Sequence, residues 1–187
     1  MAQSQSTLPR FHQSINADTI IDRIKGTATF SRRTIASIAA DRSATIEAGI
    51  VVALVGVAGA IGHQHDVMGA IVAALIGWVG LAGAIWFVAD RFMGTPTSRE
   101  SFQPLLRTIG YALAPASLVV IHFIWGLGPL VAGIGTLWSF AATVFAVRYT
   151  TQFGWVRSLI LTIAGGIFIN IAGFILSVFT GIDPQIW

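Results

Sequence analysis

Long apolar segments separated by short polar stretches make up most of the chain after about residue 45. Five of these segments are close to the ~20 apolar residues that a helix needs to cross the hydrocarbon core of a bilayer. They cover residues 46–62, 67–89, 105–125, 128–147 and 158–179. The pattern therefore predicts an all-α membrane protein in which five transmembrane helices form a compact bundle.

The third and fourth segments are predicted to form a helical hairpin. No charged residue lies between Arg107 and Arg148, and Gly126 and Pro129 interrupt the apolar run near its middle. Pro115 lies inside the third segment, where a proline removes a backbone hydrogen bond and should kink the helix. We interpret the two arginines as the ends of this hairpin.

The residues before the first segment form a polar arm. We assign residues 1–42 to the arm and residues 43–187 to a five-span membrane domain. Residues 17–40 are predicted to be helical and amphipathic, with Asn16 as the N-cap. Such a basic amphipathic helix can lie on an anionic membrane surface, against the loops of its own domain, or against both. Its apolar face carries Ile20, Ile21, Ile24, Ile35 and Ile38.

The charged residues predict the orientation. All 11 lysines and arginines lie in the arm, between the second and third segments, or between the fourth and fifth. Because positive charge is enriched in cytoplasmic loops, the N-terminus is predicted to be cytoplasmic and the C-terminus outside, in a plasma or inner membrane.

Composition supports the membrane class and excludes others. Only 10% of residues are charged and the mean hydropathy is +0.77, whereas a soluble domain carries about 25% charged residues. The basic residues follow the ends of apolar segments, so no nucleic-acid partner is predicted. The chain has no cysteine, which excludes disulfides and thiolate metal sites.

Small residues recur at intervals of four in the second segment. In lipid, small residues let helix backbones approach closely, and packing drives helix association. We therefore expect these residues to bring helices together. They are Gly69, Ala73, Gly77, Gly80 and Ala84.

Two polar residues inside the predicted spans are candidate functional residues, because polar groups in the bilayer are costly. Asn170 can hydrogen-bond across to another helix, with Ser139 and Thr143 as possible partners. His122 lies near the outer end of the third segment and could ligate a haem iron or a chlorophyll magnesium. A histidine bonded to a backbone carbonyl is the alternative interpretation.

A short loop between the first two segments holds a possible metal site. His63, His65 and Asp66 offer imidazole and carboxylate ligands of the kind that Zn²⁺ or Cu²⁺ prefers. A solvated polar loop is the alternative. Elsewhere the chain lacks a G-x-S-x-G, an H-E-x-x-H or a P-loop motif, so we predict neither an enzyme nor a required cofactor.

Several segments resemble the bacterial branch of the Yip family of membrane proteins, over about residues 40–179. The resemblance implies a five-helix membrane domain with a cytoplasmic N-terminal arm. Eukaryotic members are linked to vesicle traffic and small GTPases, but no motif here allows GTPase-binding residues to be carried over. The matching segments are Asp41-Arg-Ser-Ala-Thr, Gly77-Trp78, Leu105-Leu-Arg-Thr-Ile-Gly-Tyr-Ala-Leu-Ala-Pro115, Gly126-Leu-Gly-Pro-Leu-Val, Leu137-Trp138-Ser139 and Ala146-Val-Arg148.

These observations lead to one main functional expectation and two alternatives. We expect a non-enzymatic membrane protein that acts by helix packing and partner binding. One concrete form is an accessory subunit of a larger respiratory or photosynthetic complex, and another is a membrane-organisation factor. The alternatives are a small transporter or channel component, and a pigment- or haem-binding subunit that uses His122.

Overall fold

The computed structural model describes residues 16–63, 66–93, 102–123 and 127–180, with the backbone alone for residues 122, 123 and 176–180. Within these ranges the chain is helical, which confirms the all-α bundle. The helices are α1 (Ala17–Ala28), α2 (Arg32–Ala40), α3 (Ala44–His63), α4 (Val67–Phe92), α5 (Phe102–Ala112), a 3₁₀ segment (Ala114–Phe123), α6 (Gly128–Thr151) and α7 (Trp155–Thr180).

Five of these helical stretches are long and apolar enough to cross a membrane, which confirms the predicted spans. The third span combines α5 with the 3₁₀ segment. The backbone N–H of Leu113 still bonds the carbonyl of Ile109, four residues back, at 3.1 Å, whereas that of Ala116 bonds Leu113, three residues back, at 2.9 Å. The change occurs at Pro115, which has no N–H to continue the α-helical pattern. The interruption predicted at Pro115 takes the form of a change from α-helix to 3₁₀-helix.

Glycines allow the 3₁₀ segment to lie between α3 and α6. A Cβ atom at Gly62 would collide with the carbonyl oxygen of Val119, and one at Gly135 would lie 2.8 Å from the carbonyl oxygen of Pro115. A Cβ atom at Gly56 of α3 would likewise lie 2.9 Å from the Cα of Ile71 in α4. These backbone contacts are the close helix approaches that small residues permit in lipid.

The most buried part of the bundle lies at the end next to α1 and α2, which we call the arm side. Ile38, Val52, Ile85 and Ile109 are fully buried there and belong to one apolar cluster. Trp78 is also buried, and its indole Nε1 donates a hydrogen bond of 2.8 Å to the carbonyl of Leu106. This bond ties α4 to α5 inside the span.

The arm consists of two helices, α1 and α2. The expectation of one continuous amphipathic helix over residues 17–40 is therefore wrong. The chain turns at Phe30, whose φ of 59° is incompatible with a right-handed helix. The Phe30 ring stacks on Phe145 of α6, with ring centroids 4.5 Å apart. Asn16 caps α1 as predicted, because its side chain accepts a hydrogen bond from the Asp18 amide.

The arm packs on its own domain. Ile35 and Ile38 of α2 are almost completely buried, and Ile20 and Ile24 of α1 lie against the main apolar cluster. Ile21 remains 46% exposed. Most of the apolar face of the arm therefore packs against the membrane domain, which is one of the two placements that the amphipathic pattern allowed.

Candidate functional site

Arg23 of α1 joins the arm to the membrane domain. Its Nη2 pairs with Asp41, and its Nη1 donates to Oε2 of Glu47 in the first turn of α3 at 2.5 Å. The Tyr111 hydroxyl of α5 donates to the same Glu47 oxygen at 2.6 Å. We call this group, Arg23, Asp41, Glu47 and Tyr111, the arm clamp.

Asp41 also determines how the chain begins α3. Its Oδ1 accepts hydrogen bonds from the Ser43 amide at 2.9 Å and the Ser43 hydroxyl at 2.7 Å, while Oδ2 faces Arg23. One carboxylate therefore serves the turn before α3 and the ion pair to α1. A change at Asp41 would loosen both features together.

Electrostatics in the arm clamp favour the charged forms of Arg23 and Asp41. Burial alone would raise the pKa of Asp41, but hydrogen bonds from Ser43 and Arg23 outweigh it and hold the pKa below its ordinary value. Burial alone would likewise lower the pKa of Arg23, but the hydrogen bond to Asp41 and the charge of Glu47 keep it raised. The pair is therefore ionised at neutral pH.

A second set of contacts also fixes the arm. Arg107 of α5 is buried and donates from Nε to the Thr45 hydroxyl at 2.7 Å and from Nη1 to the Ala39 carbonyl at 3.0 Å. From α6, the indole of Trp138 donates to the Ala28 carbonyl at 2.9 Å. Arg107 is thus a structural link between α5, α3 and α2, and not simply a charged end of the hairpin.

A groove of about 590 Å³ opens between α6 and α7 within the membrane-spanning part. Its walls are mostly apolar, with a few hydroxyl groups and one carboxamide among them. The hydroxyls of Thr136, Thr143 and Thr162 each donate to the carbonyl four residues back in their own helix. The polar lining residues are Thr136, Ser139, Thr143, Thr162 and Asn170.

Asn170 has unused hydrogen-bonding capacity in this groove. Its Nδ2 donates to the Gly166 carbonyl at 2.7 Å, and the residue is exposed. A carboxamide offers two donors and an acceptor oxygen, and that oxygen has no partner among the described residues. The expected bond from Asn170 to Ser139 or Thr143 of α6 does not form there, although all three residues line one groove.

The histidine and metal candidates are placed only in part. His122 lies in the 3₁₀ segment, but its side chain is outside the described residues, as is His65. His63 is the last residue of α3, and Asp66 is the N-cap of α4, where its carboxylate accepts from the Gly69 amide at 2.5 Å. No group of three possible metal ligands occurs among the described residues.

The small residues of α4 occupy three different environments. Ala73 and Ala84 are buried, and a Cβ at Gly80 would collide with Ile169 of α7. Gly69 lies beside the Asp66 cap. At Gly77 an added Cβ would have no atom of the chain within 4 Å, so this glycine takes no part in a close helix approach within the described chain.

The sequence pattern did not reveal the arm clamp. In the sequence, Glu47 is an acid at the start of the first apolar segment, and Arg23 is one of several basic residues of the polar arm. Arg23 and Glu47 are 24 residues apart and Glu47 and Tyr111 are 64 apart, so no local spacing links them. The one sequence feature that indicates such a contact is the position of Glu47 just inside an apolar span, where a charged side chain needs a partner.

No curated protein and no solved structure shows significant similarity to the chain. The family model described as the Yip1 domain matches residues 25–177. The match begins within α1, two residues after Arg23, and includes α2, Arg107 and all five candidate spans. This chain is therefore a multi-pass membrane protein that belongs to the Yip1 domain family.

Proposed function

We propose that this protein is a non-enzymatic accessory subunit that binds a transmembrane helix of another membrane protein in the groove between α6 and α7. The observation that carries the proposal is Asn170, a carboxamide exposed on a membrane-spanning helix with an unused acceptor. At 1.5 Å per residue, it lies about 22 Å along α7 from Trp155. This distance supports a position inside the ~30 Å hydrocarbon core.

The surroundings of Asn170 suit a helix as the occupant. Apart from Asn170, the polar groups of the groove walls are hydroxyls that already donate to backbone carbonyls, three of them within their own helix and that of Ser139 to Leu113. Helices in lipid associate through packing supplemented by single interhelical hydrogen bonds from residues such as asparagine. A partner helix carrying a hydroxyl or amide donor opposite Asn170 would satisfy the free oxygen.

The edge position of α7 also supports docking from outside. This helix packs mainly against α4 and α6, and most of its described residues are at least partly exposed. On α6, Gly133 is exposed, and a Cβ there would have no atom within 4 Å. None of the described residues that line the groove is charged, which supports helix binding over acid–base catalysis or ion transport.

Site-specific photocrosslinking tests the proposal directly. Ile171 lines the groove, whereas Phe168 does not, and both side chains are 54% exposed. A photoreactive residue at position 171 should crosslink one membrane protein in cells, and one at position 168 should not. Asn170→Leu should abolish the crosslink at position 171 without lowering the melting temperature of the purified protein.

Three results would overturn the accessory-subunit role. The first is equal crosslinking from positions 168 and 171, and the second is a crosslink to lipid alone. The third is a crosslink to a second copy of this chain, which would indicate a homo-oligomer instead. Purification in a mild detergent before crosslink analysis identifies the partner by mass.

We also propose that the arm side faces the cytoplasm, at the plasma or inner membrane. The positions of the basic residues support this orientation. Because the chain has no cysteine, single-cysteine variants give unambiguous labelling with a membrane-impermeant maleimide. Arg33→Cys on the arm should be protected in intact cells, and Met68→Cys at the opposite end should react. The reverse result would invert the orientation.

A further inference from the structure

A second cavity, distinct from the intramembrane groove, lies at the arm-side surface between α2 and the end of α6. It has a volume of about 400 Å³ and is lined by Arg32, Ala36, Arg148, Tyr149, Gln152 and Phe153. Arg32 is the first residue of α2, and Arg148 lies in the last turn of α6. The arm and the membrane domain thus each contribute one arginine to the same cavity.

Both guanidinium groups gather around one aromatic ring. The Cζ of Arg32 lies 5.8 Å from the Tyr149 ring centroid and that of Arg148 lies 5.6 Å from it. Arg148 also stacks on Trp155, at 3.8 Å. Such cation–π contacts hold the two positive charges in position, but they do not neutralise them.

Neither arginine has an acidic partner in the part of the chain that the structure describes, where the ion pairs are those of Arg23. Two cations that share a cavity repel one another, and an anion between them would remove that cost. Arginine is suited to phosphate because its planar fork can donate two parallel hydrogen bonds to phosphate oxygens. Gln152 supplies a further amide donor at the rim.

The position of the cavity indicates where the phosphate comes from. Arg148 lies at the end of the fourth span, and Trp155 begins the fifth, as expected for residues at the lipid headgroup level. Basic pockets beside transmembrane helices at this level bind anionic lipid headgroups. The buried Phe153 and the exposed Ala36 add apolar surface to the cavity lining.

We propose that Arg32 and Arg148 form a binding site for a phosphate group, supplied by the headgroup of an anionic membrane lipid. The bound headgroup bridges α2 and α6. Lipid binding therefore stabilises the docked arm. This inference is independent of the partner helix proposed for the groove, because the two sites share no lining residue.

The test uses the full-length protein purified in a neutral detergent. Native mass spectrometry measures the affinity for short-chain phosphatidylglycerol, short-chain phosphatidylcholine and inorganic phosphate. We expect phosphatidylglycerol to bind best and to raise the melting temperature. Tight binding of inorganic phosphate alone would assign the same site to a soluble phosphate.

Charge-matched variants separate this site from general surface attraction. Arg32→Gln and Arg148→Gln should each weaken phosphatidylglycerol binding about tenfold, since each loses hydrogen bonds to a charged group. Arg33→Gln and Arg157→Gln remove the same charge from exposed neighbours outside the cavity, and should change the affinity less than about twofold. If Arg148→Gln does not fold, Arg148→Lys takes its place. This variant keeps the charge and should lose an intermediate amount of phosphatidylglycerol affinity.

Two outcomes would overturn the site. One is an equal loss of affinity in the cavity variants and their matched controls. The other is binding of phosphatidylcholine as tightly as phosphatidylglycerol, together with no binding of inorganic phosphate.

Discussion

Replacing Arg23 by methionine removes the cation that two carboxylates share, while the apolar stem of the side chain is largely kept. Glu47 is only 7% exposed, so the substitution leaves a buried negative charge with the Tyr111 hydroxyl as its remaining partner among the described contacts. Asp41 would keep its bonds from Ser43. We expect α1 and α2 to separate from the membrane domain more often.

The size of the effect follows from the burial of the clamp. Removing one partner of a buried ion pair costs about 3–5 kcal/mol. The side chains of Arg23 and Asp41 are 15% and 31% exposed, so water can partly solvate the carboxylates that lose their partner. The cost in unfolding free energy should therefore be near the lower end of this range, about 3 kcal/mol. This free energy corresponds to about a hundredfold larger fraction of opened arm.

Hydrogen–deuterium exchange of the α2 amides measures this opening. In Arg23→Met the exchange should be about a hundredfold faster than in the parent protein, while the amides in the middle of α4 are unaffected. Arg33 is exposed and takes part in no described ion pair, so Arg33→Met should change exchange by less than about threefold.

A double variant tests whether the pair is the cause. Glu47→Gln keeps an acceptor for Tyr111 but removes the charge that Arg23 neutralises, so Arg23→Met combined with Glu47→Gln should lose less stability than the two single changes added together. If α2 exchange in Arg23→Met stays within threefold of the parent, or if the single losses simply add, then Arg23 does not hold the arm in place.

Three further predictions concern separate contacts. Because the folded-state pKa of Asp41 lies below its ordinary value of 3.8, its stabilisation is present above about pH 4 and is lost as the pH falls through the folded pKa. The protection factors of the α2 amides, which correct for the intrinsic pH dependence of exchange, should therefore fall in acid, and Asp41→Asn should lack this fall. Gly135→Ala should lower the melting temperature by forcing the 3₁₀ segment away, whereas Gly133→Ala on the same helix should not. Trp78→Phe should cost about 1 kcal/mol in unfolding free energy through loss of its buried hydrogen bond to Leu106, and a change in stability near zero would contradict that role.

The sequence by itself determined the features that depend on residues close together in the chain. Apolar runs of sufficient length specify the five spans. Unpaired backbone N–H and C=O groups are costly in lipid, and a helix pairs them within a single segment. Pro115 ends α5 through its own missing N–H, and Asn16 caps α1 through its own side chain. The family resemblance likewise rested on segments that are continuous in the chain.

The tertiary structure alone decided which of these residues meet. Gly77 and Gly135 occupy similar sequence settings, yet one is open and the other touches a neighbouring backbone, because the crossing points of the helices depend on the whole bundle. The arm breaks at Phe30, whose ring stacks on α6, while the helix-weakening Gly26 lies inside α1. The arm clamp and the pair of Arg32 and Arg148 arise in the same way. Each joins helices that are far apart in the chain, and its residues become neighbours only when those helices pack.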